Sequence, residues 1–302
     1  MPKKENWKMI PDFEKYEAST KGNGTYSVAG AVNVFKDYDQ LVIGAGIEEP
    51  THGDYANTVA ILGDPLMANT EVFGYIDATL PLNTIQEKID KIYNLPNISG
   101  IFVDQMGFDY GVSREKQREI VWCIHEKGDN TLKVFANAWN CDDLFSPAVN
   151  PTHNPNGLPT RLGANDLYLA ESFAVINGTY DDADSDANNI KDWQDKAAKM
   201  VAYRTTFGTK MTAIATNGNG AFDQAKADYS YYASVLNGFD SWGYGEDLYS
   251  AVSAQLPMRS RKIFYGDRFD SAVTITGNVY ERRTNVGIHL NTTAHSVDIL
   301  LA

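Results

Sequence analysis

The chain is short of cysteine, of histidine and of positive charge. Its 302 residues include two cysteines, five histidines, and 26 Lys+Arg against 39 Asp+Glu. Cys123 and Cys141 alone make neither a disulfide framework nor a zinc spacing. His52, His125, His153, His289 and His295 are too scattered for a metal site. A formal net charge of -13 argues against nucleic acid or an anionic membrane as the partner. No stretch approaches the ~18 apolar residues of a membrane span. The first residues, Met-Pro-Lys-Lys-Glu-Asn-Trp-Lys, lack the apolar run of a secretory signal. The expected location is cytoplasmic, or outside the cell as part of an exported assembly. Neither a Gly-x-Ser-x-Gly elbow nor a Walker loop occurs. The nearest thing to a phosphate loop, Gly44-Ala45-Gly46-Ile47-Glu48-Glu49-Pro50, would set two acids against a pyrophosphate. No cofactor and no metal are therefore expected.

What is present is a globular composition, 43% hydrophobic, and a repeat. Strand-length apolar runs recur at Leu41–Gly44, Val72–Ile76, Ile101–Val103, Lys133–Ala136, Leu167–Ala170, Met211–Ala215 and Ser241–Tyr244. Most start about 30 residues apart, the period of a βα unit. They are apolar throughout, as strands buried on both faces should be. Helical patterns lie between them. Ile85, Ile89 and Ile92 share one helix face behind a capping pair, Asn83 and Gln86. Ser113 caps a helix that stops at Gly128. Further helices are expected over 189–205 and 222–236. An eighth strand is expected either at 262–265 or near 25–34.

The fold predicted is α/β, a (β/α)8 TIM-like barrel over residues 1–265. Residues 266–302 alternate without helical periodicity, as at Val273-Thr274-Ile275, Val286–Leu290 and Val297–Leu300. They are expected to form a small C-terminal antiparallel β appendage and could mediate homo-oligomer contacts. The acidic run Asp181-Asp182-Ala183-Asp184-Ser185-Asp186 lacks the glycine and terminal Glu of an EF-hand loop and reads as a solvated loop.

Chemistry in such barrels gathers at the carboxyl ends of the strands. Those ends supply Asp77, Asp104 with Gln105, Asn137 with Trp139, Glu171, Asn217, and Tyr244 with Glu246, with Trp242 close by. Acids, amides and aromatics together suit a sugar. Rings stack on aromatic faces, amides bind hydroxyls, and a carboxyl pair acts on the glycosidic bond. Asp104 and Glu171 are the predicted catalytic pair. Asp77, Gln105, Asn137, Trp139, Asn217, Trp242, Tyr244 and Glu246 are the predicted substrate-binding residues. The partner expected is a polysaccharide or glycan.

Phe73-Gly74-Tyr75-Ile76-Asp77-Ala78-Thr79, Gly100-Ile101-Phe102-Val103-Asp104, Lys133–Asn137 and Asn165–Phe173 together form a pattern. It resembles the spherulin-4-like glycosidases and glycoside hydrolase family 114, the endo-α-1,4-polygalactosaminidase group. The resemblance spans about residues 41 to 247. It implies a TIM barrel that hydrolyses a galactosamine-type polysaccharide. It places Asp104 on the first catalytic acid and Glu171 on the later one. One position departs: spherulin-4-like proteins carry Glu directly after that Asp, and this chain has Gln105. An amide neither donates nor accepts a proton as a general acid or base. The alternative is therefore an inactive barrel that binds carbohydrate or builds a larger assembly such as a virion.

Overall fold

The computed structural model describes residues 7–9, 27–216, 223–245, 271–283 and 286–301. Its strands run in chain order as β1 (Trp7–Met9), β2 (Gln40–Val42), β3 (Glu71–Asp77), β4 (Ile98–Asp104), β5 (Lys133–Asn137) and β6 (Leu167–Ala170). A short hairpin, β7 (Val175–Ile176) and β8 (Thr179–Tyr180), precedes β9 (Lys210–Thr216) and β10 (Ser241–Gly245). Eight of these pair in the order β1-β2-β3-β4-β5-β6-β9-β10, and every pairing is parallel. The first and last strands lie side by side, which curls the sheet into a TIM-like barrel.

The eighth strand is not where the sequence placed it. The stretch near 25–34 falls in a helix, α1 (Val28–Phe35), and β1 lies further upstream. Ala31, Val32 and Phe35 of α1 are buried at three- and four-residue spacing, a helical rather than a strand period. The other suggestion, 262–265, lies outside the described residues, as does the predicted boundary at 265/266.

The remaining helices are α2 (Tyr55–Leu62), α3 (Leu82–Tyr93), α4 (Arg114–Lys127), α5 (Asp142–Phe145), α6 (Asp192–Phe207) and α7 (Gln224–Leu236). Ile85, Ile89 and Ile92 do form the buried face of α3. Its predicted cap does not form. Pro81 takes the cap position without a side-chain bond, and Gln86 instead reaches Cys123 Sγ at 3.5 Å. Ser113 does cap α4, accepting from Lys116 N, and α4 ends at Gly128. Among the described residues no helix is long and apolar enough to cross a membrane.

Side chains alternate along each strand, so two layers form. One layer fills the barrel: Val42, Phe73, Phe102, Phe135, Leu167, Leu169 and Ile214. Phe135 meets Phe73 and Phe102 edge-on, both with ring centroids 5.2 Å away. The other layer joins the strands to the helices and contains Ile76, Ile101, Val103, Val134, Ala136, Tyr168, Ala213 and Ala215. The closeness of the filling fixes Gly100. A Cβ there would stand 2.3 Å from the Lys133 carbonyl and 2.8 Å from the Phe73 ring.

The tail is an antiparallel sheet, β11 (Thr274–Thr276), β12 (Val279–Arg283), β13 (Val286–Asn291) and β14 (Ser296–Leu301). Its inner face is part of the main core through Tyr280, Ile288 and Leu290. Polar bonds secure it to the helices. Arg282 donates to the Leu236 carbonyl at 2.9 Å, and Gln194 Nε2 donates to the Tyr280 hydroxyl at 3.0 Å. His295 stacks on Tyr180 at 4.0 Å and pairs with Asp182 at 2.8 Å.

Gly100→Ala is expected to lower unfolding free energy by about 1–3 kcal/mol, the usual cost of overpacking. Phe102→Ala should cost about 3–5 kcal/mol by opening a cavity in the barrel. Urea unfolding of both variants measures this.

Candidate active site

Four strands deliver polar side chains to one end of the barrel by the same rule. Phe73 and Phe102 fill the interior, and Tyr75 packs against that filling. The inward positions that follow are Asp77 and Asp104. Phe135 is followed two residues on by Asn137, and Leu169 by Glu171. The filled interior below these groups keeps water from one side of each.

Asp104 is held from two directions. The Tyr75 hydroxyl donates to its Oδ2 at 2.7 Å, and the Gln105 N–H donates to its Oδ1 at 2.8 Å. The second bond needs a tight backbone turn, and Gln105 has a φ of 56°, rare for a residue with a side chain. The residue after Glu171 repeats this, with Ser172 at a φ of 53°.

Burial raises the Asp104 pKa, and the nearby Asp77 charge adds to this. The Tyr75 and Gln105 hydrogen bonds oppose both by favouring the carboxylate. Glu171 has weaker compensation. Burial first, then the Asp104 charge, push its pKa to about 7; Lys196 and Asn137 pull only part of the way back. The two acids are thus differently placed. Asp104 has two donors to its charged form, whereas Glu171 is largely a neutral acid until the pH reaches neutrality.

Asn137 is buried. Its side-chain amide lies beside Glu171 and favours that residue's charged form.

The other predicted residues divide. Asp77 is engaged locally, accepting from the Thr79 N–H and hydroxyl, both at 2.7 Å. Its charge still reaches Asp104 and Tyr75. Trp139 lies on the loop after β5 and is 52% exposed. Trp242 is not on the rim. It is buried in the layer between strands and helices, and its indole N–H donates to Ser230 Oγ of α7 at 3.1 Å. Tyr244 shares that outward face two residues on and is also buried. Neither belongs with the acids: their positions in β10 pair with Ala213 and Ala215, whose side chains face the helices. Asn217 and Glu246 lie outside the described residues.

Tyr75, Tyr110 and Lys196 are additions that the strand-end reading missed. Tyr75 stands among three acids: burial first, then Asp104, Asp77 and Glu171, raise its pKa. Alternation was the available signal, since Tyr75 has the same parity as Phe73 and Asp77. Tyr110 belongs to a short 3-10 turn, Phe108–Tyr110, and is 51% exposed. Partial burial, then the charges of Asp109, Asp104, Glu171 and Asp77, raise its pKa. No local pattern marks such a loop residue.

Among the described residues no group of His, Cys, Asp and Glu is arranged to hold a metal. In the 181–186 loop, Asp182 pairs with Lys191 and His295, and Asp184 accepts from the Asn188 and Asn189 N–H groups. Glu48 and Glu49 pair with Lys88 and Lys91 of α3.

No protein-family model and no curated protein matches the chain. Solved structures share its outline only. An HpcH/HpaI aldolase from Desulfitobacterium hafniense is 11% identical with a TM-score of 0.42, over 82% of this chain and 88% of that one. Haloferax volcanii malate synthase is 12% identical with a TM-score of 0.44, over 86% and 75%. Thermotoga maritima Cel5A, solved with cellobiose, is 8% identical with a TM-score of 0.46, over 79% and 88%. Likeness this distant carries nothing about activity.

Glu171 gives a stability test. Its folded pKa of about 7 lies above the reference value of 4.5, so the folded state binds the extra proton. Stability is then full below pH 4.5 and falls as pH rises towards 7, by about 3 kcal/mol at most. Glu171→Gln should match the wild type at pH 4 and exceed it at pH 8 in urea unfolding. Tyr75→Phe should raise the Asp104 pKa further, read by carboxyl NMR titration.

Proposed function

We propose that the chain is a glycoside hydrolase acting on an amino-sugar polysaccharide of galactosamine type, with Glu171 as general acid and Asp104 as its partner carboxylate. The observation that carries this is the unequal treatment of two neighbouring acids at the barrel mouth. Glycosidic cleavage needs one carboxyl still protonated near neutral pH to give its proton to the leaving oxygen. It needs a second, ionised one to attack the anomeric carbon, activate water, or stabilise positive charge on the ring. Glu171 answers the first need. Asp104, with the Tyr75 hydroxyl and the Gln105 N–H on its two oxygens, answers the second.

Gln105 bears on this assignment. Its contribution is a backbone N–H to Asp104, which does not depend on the amide side chain. The proton transfer that an acid there would perform falls to Glu171. Tyr110 and Trp139, both exposed on segments that follow β4 and β5, would supply stacking surfaces. The acid surplus suits a substrate with free amino groups.

The second reading is a barrel that binds a glycan without turning it over, as a component of an assembly. The exposed Ile275 and Leu300 on the appendage favour it, because they offer apolar surface to a neighbour. Such a protein would show glycan affinity, no product and a stable oligomer.

Reducing-end release from a soluble galactosamine polymer separates the two. The wild type should be active, with activity falling as pH rises through about 7, where Glu171 loses its proton. Glu171→Gln and Asp104→Asn should each lose about 10²–10⁴-fold. Equal rates in all three proteins would remove the carboxyl pair from any catalytic role.

A further inference from the structure

The buried face of α4 is polar where an apolar stripe is expected. Its inward positions include 114, 117, 120, 121 and 124. The last three carry Ile120, Val121 and Ile124, but the first two carry Arg114 and Gln117, both buried. An apolar side chain of similar length at either place would avoid taking a polar group out of water. Departures of this kind from a local pattern gather at functional sites.

The Gln117 amide is directed at one backbone group. Its Nε2 donates to the Met106 carbonyl at 2.6 Å, in a buried bond. On its other side Met106 donates its N–H to the Asn137 carbonyl, at the end of β5, at 2.9 Å. Met106 is therefore pinned at both of its peptide groups, to β5 and to α4. Arg114 fixes the base of this clamp. Its Nη2 donates to the Asp143 and Ser146 carbonyls at 2.9 and 3.1 Å, and its N–H donates to the His153 carbonyl at 2.8 Å.

The residue held between β4 and Met106 is Gln105. Its φ is 56°, and its N–H lies on Asp104 Oδ1 at 2.8 Å. A residue with a side chain keeps such a φ only where its surroundings over-determine it. Two motions would relax it. A flip of the peptide between Asp104 and Gln105 would break the bond that the Asp104 carbonyl accepts from the Ala78 N–H at 2.9 Å. A swing of the chain beyond Gln105 would break the bonds at Met106. The Gln117 amide thus bears on the acid two positions before the residue it binds.

We propose that Gln117 is a positioning residue for Asp104. From the helix behind the mouth it holds Met106, and through Met106 the left-handed turn at Gln105, in the arrangement that keeps a backbone N–H on the Asp104 carboxylate. The role deepens the glycosidase reading, in which Asp104 is the partner carboxylate, and rests on that reading for its catalytic consequence.

Carboxyl NMR titration of the full chain tests it without turnover. Gln117→Met keeps the length of the side chain and removes the donor; Gln117→Leu removes it in a shorter one. Each should raise the Asp104 midpoint by at least about half a pH unit, because a hydrogen bond to the charged form is weakened. Adding Gln105→Gly to Gln117→Met should reverse at least about half of that rise, since glycine takes a positive φ without strain. A role for Gln117 in packing alone would not be rescued in this way. Circular dichroism checks that each variant folds. An unchanged Asp104 midpoint in the Gln117 variants, or a rise that Gln105→Gly does not reduce, would overturn the positioning role. With a galactosamine polymer, the acidic limb of the kcat/KM profile should move upward with the Asp104 midpoint. A raised and rescued midpoint without cleavage by the wild type would leave the positioning role standing and remove the glycosidase reading. Cleavage by the wild type with an unchanged midpoint in the variants would do the reverse.

Discussion

The chemistry at the barrel mouth depends on the filling beneath it. Phe73, Phe102, Phe135 and Leu169 occupy the interior, so the carboxyls above them have water on one side at most. A carboxylate loses solvation there and recovers it only from donors the fold supplies. The number of donors then decides each acid's state. Asp104 receives an O–H and an N–H; Glu171 has nearby Asn137 and Lys196 at weaker advantage. Burial on the same apolar floor raises both acids, and the donors around each decide how far this is offset.

One of those donors, the Gln105 N–H, comes from a loop, at some cost in backbone strain. Gln105 and Ser172 each turn through a left-handed conformation directly after an acid. The turn at Gln105 brings its N–H back onto Asp104. The hairpin after Ser172 carries Tyr180, which His295 of the C-terminal sheet covers by stacking. The appendage is thereby tied to the segment that follows Glu171. Its inner face is core.

Much of this was readable in the chain. The seven apolar runs became seven strands because parallel strands buried on both sides must be apolar throughout. Asp77, Asp104, Asn137 and Glu171 were readable as strand-end residues, and Asp77 and Asn137 bear on the electrostatics of the other two. Trp242 and Tyr244 were misplaced for one reason. They were read by proximity to the strand end, whereas alternation puts them on the helix side with Ala213 and Ala215. The β1 strand was missed because a three-residue strand gives no period. Its proposed substitute near residue 30 had a helical spacing instead.

The sequence by itself determined the order of elements, the side each strand residue faces, and hence which acids could meet. Local periodicity carries that information, since side chains alternate whatever the strand pairs with. Only the tertiary structure decided which donors each acid receives. That depends on the Tyr75 hydroxyl reaching Asp104 across 29 residues of sequence, and on Lys196 lying over Trp139 rather than against Glu171. Distances between separate elements set those fields, and no local pattern encodes them.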